Sequence, residues 1–584
     1  MKIEPPYWFV GMQEPTVQIL LTDEESHEYC FLDVDVSRFQ EPCTINLYAM
    51  LDNRPVTFTY ELKARRWGSR ERKGFGPEDV IYLLMPDRFC NNKDYNEDDN
   101  YNKNKCKPSR RHGGTINGIR SKLDYLSNLG ITAIWHTPVL ANDMPETDTN
   151  DSYHGYAVTD FYAIDRHFGT IADYKALVEE AHRKGLKIIK DMIFNHCGAA
   201  HPWLNNPPEL DWFNSREWIG DSDVSGGNLP EVNEDYLQTN YRLTPTIDPY
   251  ASDYDRRQTI EGWFVKSMPD LNLRNTRLLK YLTQCSIWWI ETADIDGIRM
   301  DTFPYTDRKA MKAWMDAIHN EYPDFKILGE TWVTQPAFSA RWQEYGVDST
   351  MDFAMFEAFN YAKHEDSREW WSGLNRIYHV LCYDYLYPTP QMTLAFLDNH
   401  DVNRFIEEEP DSYNVNHRTG EMAIPIIYMR MRVALAMLLT MPRIPQLYYG
   451  TEILMAGNTS ITDGNVRKDY PWNKPLDKHQ QEMLRFTTHL LRWRKTCPAI
   501  HHGTTRQFIP HNGIYVLARQ YSSTTILTIA NGSSRSATLE LHRYREVIGD
   551  ATTARNILTN RPFKLNRKSV KMKANELLLL EIKR

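Results

Sequence analysis

The sequence predicts an α/β protein: a (β/α)8, or TIM, barrel with an inserted domain, flanked by amino-terminal and carboxyl-terminal β-sandwich domains. Short apolar runs alternate with helical patterns over about 420 residues in the middle of the chain, and this alternation is typical of a parallel sheet. Eight such runs fit a (β/α)8 barrel with insertions. Strand patterns without long helices occupy both ends, which predicts a β-sandwich at each end.

The amino-terminal strand pattern ends before residue 70. Apolar and polar residues alternate, with prolines between the runs, in TVQILL, YCFLDVDV, TINLYAML and TFTYEL. A period of two residues predicts strands that bury one face. We therefore predict a shortened, immunoglobulin-like β-sandwich over residues 1–70.

The barrel is predicted over residues 71–500. Its candidate strands are IYLLM (81–85), ITAIW (131–135), LKIIKDMI (186–193), DGIRMD (296–301), FKILGE (325–330), a weaker run near 349–353, TLAFLDNHD (393–401) and IPQLYYG (444–450). Helical patterns follow most of them, near residues 116–129, 171–184, 276–292, 307–321, 421–439 and 478–494. An irregular stretch after the third strand predicts an inserted domain over about residues 197–265. Strand patterns return in the predicted carboxyl-terminal domain, residues 501–584.

The composition limits the classes of partner. The chain has 584 residues, of which 41% are hydrophobic and 25% charged, and its net charge is −9. This acidic balance argues against a nucleic-acid partner, and no apolar run approaches the length of a membrane span. The eight cysteines form no CxxC pair, so no redox or zinc motif is visible. Because MKIEPPYWFV has no signal-peptide pattern, the expectation is a cytoplasmic chain, or a periplasmic one whose signal has been removed.

Polar residues collect where the predicted barrel strands end. They are Asp191, Asn195 and His196 after the third strand, Arg299 and Asp301 in DGIRMD, Glu330 in FKILGE, and His400 and Asp401 after the seventh strand. The carboxyl ends of the strands form one face of a (β/α)8 barrel, and that face holds the active site. The sequence therefore predicts that these side chains converge although they are far apart in the chain.

Each of these residues also has an ordinary structural explanation. An aspartate at a strand end often caps a helix, a histidine such as His196 is often a hydrogen-bonded core residue, and Arg299 could be a salt-bridge partner. Four groups on the same face are harder to explain separately. Retaining glycoside cleavage needs a carboxylate nucleophile and a carboxyl acid/base about 5–5.5 Å apart. A third carboxylate can stabilise the positively charged transition state, and crowding of the carboxylates raises one pKa.

Four short motifs carry a resemblance to a known family. DMIFNH (191–196), GIRMD (297–301), GETW (329–332) and FLDNHD (396–401) match, in order, the signature regions of the α-amylase family of glycoside hydrolases. YHGYAVTDFYAID (153–165) resembles the second-strand segment of that family, and MPDLN (268–272) resembles its fifth region. The resemblance covers nearly the whole chain and implies that the inserted domain is the B domain of the family.

The resemblance also implies roles for the matched residues. The catalytic residues would be Asp301 as the nucleophile, Glu330 as the general acid/base and Asp401 as the transition-state stabiliser. The substrate-binding residues would include Tyr156, which would stack under the glucose at the cleaved bond, His196 and His400, which would bind its hydroxyls, and Arg299, which would contact the nucleophile. Asp191 and Asn195 would be mainly structural.

Further motifs narrow the resemblance to a subgroup. EPPYWFVGM, YELKAR and PDRF resemble the cyclomaltodextrinase, neopullulanase and maltogenic amylase subgroup, and within it the chain resembles the periplasmic starch-utilisation neopullulanases of Bacteroides-like bacteria. YYGTEI (448–453) and VRKDYPW (466–472) fit the same subgroup and imply Arg467 and Asp469 as further substrate-binding residues. Members of the subgroup often dimerise through the amino-terminal domain. That domain is short here, so monomer and homodimer both stay open.

The resemblance does not decide whether the chain binds calcium. In many starch amylases a lysine and a calcium-site histidine stand three and four positions after the nucleophile, whereas this chain has Pro304 and Tyr305. The subgroup can bind calcium in the loop after PDRF, where this chain offers hard oxygen ligands from Asn92, Asp94 and Asp98. HGGT replaces the commoner HGGD and removes one carboxylate. The loop is therefore expected either to hold calcium or to be a solvated polar loop, and no organic cofactor is expected.

The expected function is retaining hydrolysis of α-1,4-glucosidic bonds in maltooligosaccharides, cyclodextrins or pullulan, with some transglycosylation. One alternative is a relative specific for α-1,6 bonds or for small disaccharides, because loops around the substrate decide that preference. Another is a catalytically inactive glucan-binding protein, since a fold does not by itself determine function. The presence of Asp301, Glu330 and Asp401 argues against inactivity.

Overall fold

The computed structural model describes residues 1–51, 53–91, 107–144, 150–215, 238–407 and 426–584. Within these ranges, no helix is both long and apolar enough to cross a lipid bilayer.

The amino-terminal residues form two three-stranded sheets. The strands are β1 (Lys2–Glu4), β2 (Trp8–Phe9), β3 (Thr16–Thr22), β4 (Tyr29–Asp35), β5 (Cys43–Leu51) and β6 (Arg54–Lys63), in the orders β1-β3-β4 and β2-β6-β5. These strands lie within the predicted domain 1–70. The Gln18 backbone N–H donates to Gln284 Oε1 at 2.8 Å, which attaches β3 to a helix on the outside of the barrel.

The described residues between Ile81 and Tyr448 contain ten strands, and eight of them form a parallel barrel. The ten are β7 (Ile81–Leu84), β8 (Ala133–His136), β9 (Leu140–Asn142), β10 (Val158–Ile164), β11 (Lys187–Met192), β12 (Gly297–Met300), β13 (Lys326–Gly329), β14 (Ser349–Thr350), β15 (Leu394–Phe396) and β16 (Ile444–Tyr448). The barrel order is β14-β13-β12-β11-β8-β7-β16-β15. A parallel bridge between Met351 and Leu394 joins the two edge strands. The predicted (β/α)8 barrel is confirmed.

Helices surround the barrel. In the described ranges up to residue 494 they are α1 (Pro86–Phe89), α2 (Ile116–Arg120), α3 (Leu123–Leu129), α4 (Ile171–Arg183), α5 (Asp253–Glu261), α6 (Thr276–Ala293), α7 (Arg308–Glu321), α8 (Pro336–Glu344), α9 (Phe353–Ala362), α10 (Leu374–Leu381), α11 (Ile426–Thr440) and α12 (Lys478–Arg494). Side-chain caps begin several of them. The Thr170 hydroxyl accepts from the Asp173 N–H before α4, and the Asn275 side chain accepts from the Leu278 N–H before α6. Such caps satisfy N–H groups that a helix leaves unpaired at its start.

Three elements differ from the sequence predictions. The single helix predicted near 116–129 is two helices, because Lys122 between α2 and α3 has φ −110° and ψ 7°, outside the helical region. Residues 153–165, matched above to a second-strand segment, contain β10, which pairs antiparallel with β9 outside the barrel, whereas the second barrel strand is β8. The strand expected near 349–353 has only two residues, because Asp352 caps α9 by accepting from the Met355 N–H.

Strands return after the last barrel helix. After α12 the chain forms α13 (Pro498–His502), β17 (Thr504–His511), β18 (Ile514–Tyr521), β19 (Thr524–Asn531), β20 (Ala537–Glu540), α14 (Arg545–Ile548), β21 (Thr553–Asn556), β22 (Arg561–Lys564), β23 (Ser569–Met572) and β24 (Leu577–Lys583). The sheets have the orders β17-β18-β19-β24-β21-β22 and β20-β23. Val516, Leu580 and Met572 belong to the apolar core of this region, which accounts for the apolar runs of its strands.

The parallel register brings the polar strand ends together. Asp191 on β11 pairs with Arg299 on β12, and Arg299 pairs with Leu328 on β13. Beyond the strand ends, the Asp301 N–H donates to the Met192 carbonyl at 2.9 Å. The carboxyl ends of neighbouring strands therefore form one edge on which residues from several segments meet.

Candidate active site

A cavity of about 550 Å³ opens at the carboxyl edge of the barrel. The three residues predicted to be catalytic all line it. The described lining residues are His154, Tyr156, His196, Tyr241, Phe264, Met268, Asp301, Thr302, Tyr305, Glu330, Trp332, Asp401, Asp463 and Arg467. Its volume lies in the range typical of small-molecule sites, and its wall combines carboxylates with aromatic rings.

Arg299 is the central cation beneath this cavity. Its side chain is fully buried, and Nη1 donates to Asp191 Oδ1 at 3.0 Å and to Asp301 Oδ1 at 2.5 Å. Its Nη2 lies 2.5 Å from Glu330 Oε1. Positions two apart on a strand face the same side, which is why β12 directs Arg299 toward Asp301. One guanidinium therefore holds carboxylates from three strand ends at short range.

Asp191 anchors the other side of Arg299. Its Oδ2 accepts from the Trp135 indole N–H at 2.9 Å and from the Tyr156 hydroxyl at 3.1 Å. Burial raises the pKa of Asp191 to about 7, although Arg299 opposes that rise. Because Asp191 lies below the described cavity lining and its oxygens are engaged by protein donors, its position fits the predicted structural role.

Glu330 has the environment of a proton donor. It follows β13, lines the cavity, and its Oε2 accepts from the Thr302 N–H at 2.8 Å. Burial raises its pKa to about 8, with Arg299 opposing the rise and the carboxylates of Asp301 and Asp401 adding to it. A carboxyl group with such a pKa keeps its proton at neutrality and can act as a general acid.

Asp401 has the opposite environment. Arg467 Nη2 donates to its Oδ1 at 2.9 Å, and His400 Nε2 lies 3.2 Å from its Oδ2. Burial works against ionisation, but His400, Arg467 and Arg299 together lower the pKa of Asp401 below its usual value. Asp401 therefore stays ionised, whereas Glu330 keeps its proton.

Two of the predicted sugar-binding residues, Tyr156 and His196, line the cavity, whereas His400 is buried behind Tyr156 and is absent from the described lining. The Tyr156 ring stacks on the fully buried His400 ring with centroids 5.6 Å apart and planes at 10°. The Tyr156 hydroxyl and His400 Nε2 are 2.6 Å apart, and burial lowers the pKa of His400 to about 3. His196 lines the cavity, and in the described residues its buried Nε2 has no hydrogen-bond partner. A ligand hydroxyl there would satisfy an unpaired buried nitrogen.

Some predicted residues lie elsewhere. Asp469 Oδ1 lies 2.7 Å from His112 Nδ1. Asp469 is absent from the described cavity lining, whereas Arg467, two residues before it, is present. The Asn195 amide donates to Asp270 Oδ1 at 2.9 Å, a contact that fits its predicted structural role. Thr115, which replaces a carboxylate, caps α2 by accepting from the Gly118 N–H. The candidate calcium ligands Asn92, Asp94 and Asp98 lie outside the described residues.

Sequence reasoning predicted Tyr156 but missed the rest of the aromatic wall. Trp332 lines the cavity with 46% of its surface exposed and stacks on Phe353 at 4.9 Å and 11°. Tyr305 packs edge-on against Phe264 of the inserted segment at 4.8 Å. The available signal for Trp332 was its place in GETW, two residues after Glu330. Phe264 was not selected, because only the folded chain brings the inserted segment to the barrel edge.

Comparison with known proteins gives two family matches. Residues 83–489 match the model of the alpha amylase catalytic domain, and residues 505–581 match the cyclo-malto-dextrinase C-terminal domain.

Individual relatives have low sequence identity to this chain but align with most of its length. The chain is 27% identical to a beta/alpha-amylase of Paenibacillus polymyxa over 84% of its own length, yet it spans only 36% of the length of that protein. It is 26% identical to a cyclomaltodextrinase of Thermoanaerobacter pseudethanolicus over 79% of its own length and 71% of that protein. The structure of an alpha-amylase of Geobacillus thermoleovorans, complexed with acarbose, superposes with a TM-score of 0.69 and 27% identity, covering 87% of this chain and 99% of the other.

Proposed function

The chain belongs to the α-amylase family of glycoside hydrolases, and from this premise we propose that it hydrolyses α-1,4-glucosidic bonds with retention of configuration. The observation that carries the proposal is the meeting of Asp301, Glu330 and Asp401 on one cavity. The proposed substrates are maltooligosaccharides, cyclodextrins and pullulan, with some transglycosylation. The match of the carboxyl-terminal domain to that of cyclomaltodextrinases supports this choice within the family.

Asp301 is the proposed nucleophile and Glu330 the acid/base. In the first step a carboxylate oxygen of Asp301 bonds to the anomeric carbon, the glycosidic C–O bond breaks, and the leaving oxygen takes the proton of Glu330. In the second step Glu330 removes a proton from water, whose oxygen bonds to the anomeric carbon and releases Asp301. Arg299 supports this scheme because it holds both carboxyl groups at 2.5 Å, on adjacent nitrogens.

Asp401 is the proposed stabiliser of the positively charged transition state. Arg467 keeps it in place, and the positive charges of Arg467 and Arg299 favour its ionised form at neutral pH. Its negative charge, held at a fixed position by Arg467, would interact with the developing positive charge more strongly than the same charge in water, because most of its surroundings are protein. Tyr156, His196 and His400 would orient the glucose whose bond is cleaved.

The alternative functions would use the same cavity. Cleavage of α-1,6 bonds or of small disaccharides would use the same carboxylates, so only the products separate these cases. An inactive glucan-binding protein would not need Glu330 in an environment that raises its pKa. Asp469 as a substrate contact and calcium at Asn92, Asp94 and Asp98 stay predictions.

The function is tested by product analysis on β-cyclodextrin, maltoheptaose, pullulan and soluble starch in parallel. We expect rapid opening of the cyclodextrin ring, panose from pullulan, slow attack on starch, and products that are initially α-anomers. Cleavage of starch without cyclodextrin would indicate an ordinary amylase, and turnover of none of the four would contradict the proposal. Parallel assays with a chelator test the calcium prediction.

The pH dependence is a further prediction. We expect kcat/KM to fall as the pH rises above about 8, because Glu330 must be protonated in the free enzyme and burial raises its pKa to that value. The sign follows from the raised pKa: the active, protonated form persists to a higher pH than that of an ordinary glutamate. The measurement is kcat/KM for maltoheptaose between pH 4 and 10. A fall that starts near pH 5 would contradict it.

A further inference from the structure

Two neighbouring tryptophans are exposed on the loop between α9 and α10. Trp370 has 72% and Trp371 52% of its surface exposed. Their ring centroids are 5.3 Å apart and the ring planes are perpendicular, at 89°. Tryptophan side chains are highly buried on average, so an adjacent exposed pair suggests a binding role.

The loop that carries the pair is held in one shape by hydrogen bonds. The Asn375 amide donates to the carbonyls of Ser367, Glu369 and Ser372 at 3.1, 2.9 and 3.0 Å. Gly373 has φ +59°, and a Cβ there would lie 2.2 Å from Ser367 Oγ, so the turn requires glycine. These contacts bracket the two tryptophans on both sides. A platform ordered in advance loses little entropy when a ligand binds.

The loop also has fixed neighbours. Asp366 Oδ2 accepts from the backbone N–H and the hydroxyl of Ser534, at 3.0 and 2.7 Å, which ties the loop to the carboxyl-terminal domain. Lys363, at the start of the loop, lies 2.6 Å from Glu407. Glu407 lies six residues after Asp401 in the segment that follows β15. Neither tryptophan is among the described residues that line the cavity.

The size of the patch discriminates between ligands. With aromatic side chains contributing up to about 250 Å² each, the pair exposes on the order of 300 Å². A stable protein interface buries about 800 Å² on each partner, which is more than this pair provides. Charged residues adjoin the pair, with Arg368 paired to Asp366 at 2.8 Å and Arg376 paired to Glu365 at 2.6 Å. Flat apolar faces next to polar groups match a sugar ring, which has an apolar C–H face and a hydroxyl edge.

We propose that Trp370 and Trp371 form a surface site for an α-glucan chain, separate from the catalytic cavity. The identity of the glucan rests on the proposed function. Each ring stacks on one glucose of a longer chain, and charged groups of the loop bind its hydroxyls. The site holds polymeric substrate near the cavity without taking part in bond cleavage.

The test is affinity electrophoresis in gels that contain soluble starch. Every chain carries Asp301→Ala, so the polymer is not digested during the run. We expect Trp370→Ala/Trp371→Ala to raise the dissociation constant for starch about tenfold, since two lost ring contacts are expected to have an effect of that order. Each single alanine variant should raise the dissociation constant for starch by a smaller factor. If the double variant does not fold, the two single variants provide the test.

Two further substitutions serve as controls for the double alanine variant. Trp67→Ala removes a lone tryptophan that is 93% exposed, and it should leave retardation unchanged. Trp370→Tyr/Trp371→Tyr keeps aromatic faces and should retain most of the retardation. With Asp301 restored, the double alanine variant should hydrolyse maltotriose at the rate of the parent.

The outcomes separate this site from the proposed function. Retardation unchanged by the double alanine variant, with normal hydrolysis of maltotriose by the parent, would overturn the surface site and leave the function standing. Loss of retardation in the double variant, with no hydrolysis by the parent, would support the site and overturn the proposed function. A change in sedimentation with unchanged retardation would overturn the site and identify a contact between copies of the chain.

Discussion

Replacing Asp301 with alanine is expected to lower kcat/KM for maltoheptaose by about 10⁴-fold or more, because no other group can form the covalent intermediate. The fold should survive. Without Asp301, Arg299 Nη1 still lies 3.0 Å from Asp191 Oδ1, so the buried guanidinium keeps a hydrogen-bonded partner. The measurements are kcat/KM and the midpoint of thermal unfolding for the parent and the variant.

Asp463→Ala is the matched control for this change. Asp463 lines the same cavity, but its side chain is 60% exposed and lies 3.5 Å from Arg467. We expect a loss of less than about tenfold, because an exposed ion pair contributes at most about 1 kcal/mol. Near-parental activity of Asp301→Ala would exclude Asp301 as the nucleophile and, with it, the double displacement.

Replacing Glu330 with glutamine is expected to lower kcat/KM for maltoheptaose by about 10²–10⁴-fold, the usual contribution of a general acid. The side chain keeps its size, but its single amide oxygen can accept from the Thr302 N–H or lie beside Arg299 Nη2, not both, so a comparison of two substrates is needed to separate the missing proton donor from this lost contact. The loss in kcat/KM should be smaller for an aryl maltoside that releases an acidic phenol, because such a leaving group departs with little help from a proton donor. The alkaline fall in kcat/KM should disappear, because the group that titrates is gone.

Glu452→Gln provides the comparison for a buried glutamate outside the cavity lining. Glu452 accepts from the hydroxyls of Tyr82, Tyr125 and Tyr470, and a glutamine oxygen can accept in the same way. We expect its activity and its pH profile to match the parent. An equal loss on both kinds of substrate in Glu330→Gln, or an alkaline fall that persists, would show that Glu330 is not the general acid.

The barrel was predictable because its signal is local. Apolar runs such as IYLLM and LKIIKDMI are short enough to be buried strands, and the helical patterns between them have the correct period and length. The errors arose where local contacts overrode the pattern. Lys122 interrupts the helix predicted near 116–129, and Asp352 caps a helix where the sixth strand was expected to continue.

The candidate site was predictable only in part. Residues in motifs at strand ends, such as Asp301 and Glu330, could be found because strand order and strand direction bring them to one edge. The motif VRKDYPW implied both Arg467 and Asp469, but the described cavity lining includes only Arg467, and Asp469 Oδ1 lies 2.7 Å from His112 Nδ1. Phe264 could not be found, because it reaches the cavity from an inserted segment whose path has no periodic signal.

The sequence by itself determined the barrel, the edge that holds the polar residues and the three carboxylates that converge there, since periodicity and motif order are properties of neighbouring residues. Only the tertiary structure decided which carboxyl group keeps its proton. Burial and charge–charge interactions depend on distances in space. Burial, with the carboxylates of Asp301 and Asp401 adding to it, raises the pKa of Glu330, whereas the charged groups around Asp401 lower its pKa despite burial. The aromatic wall of the cavity and the exposed tryptophan pair were decided in the same way, by packing between segments far apart in the chain.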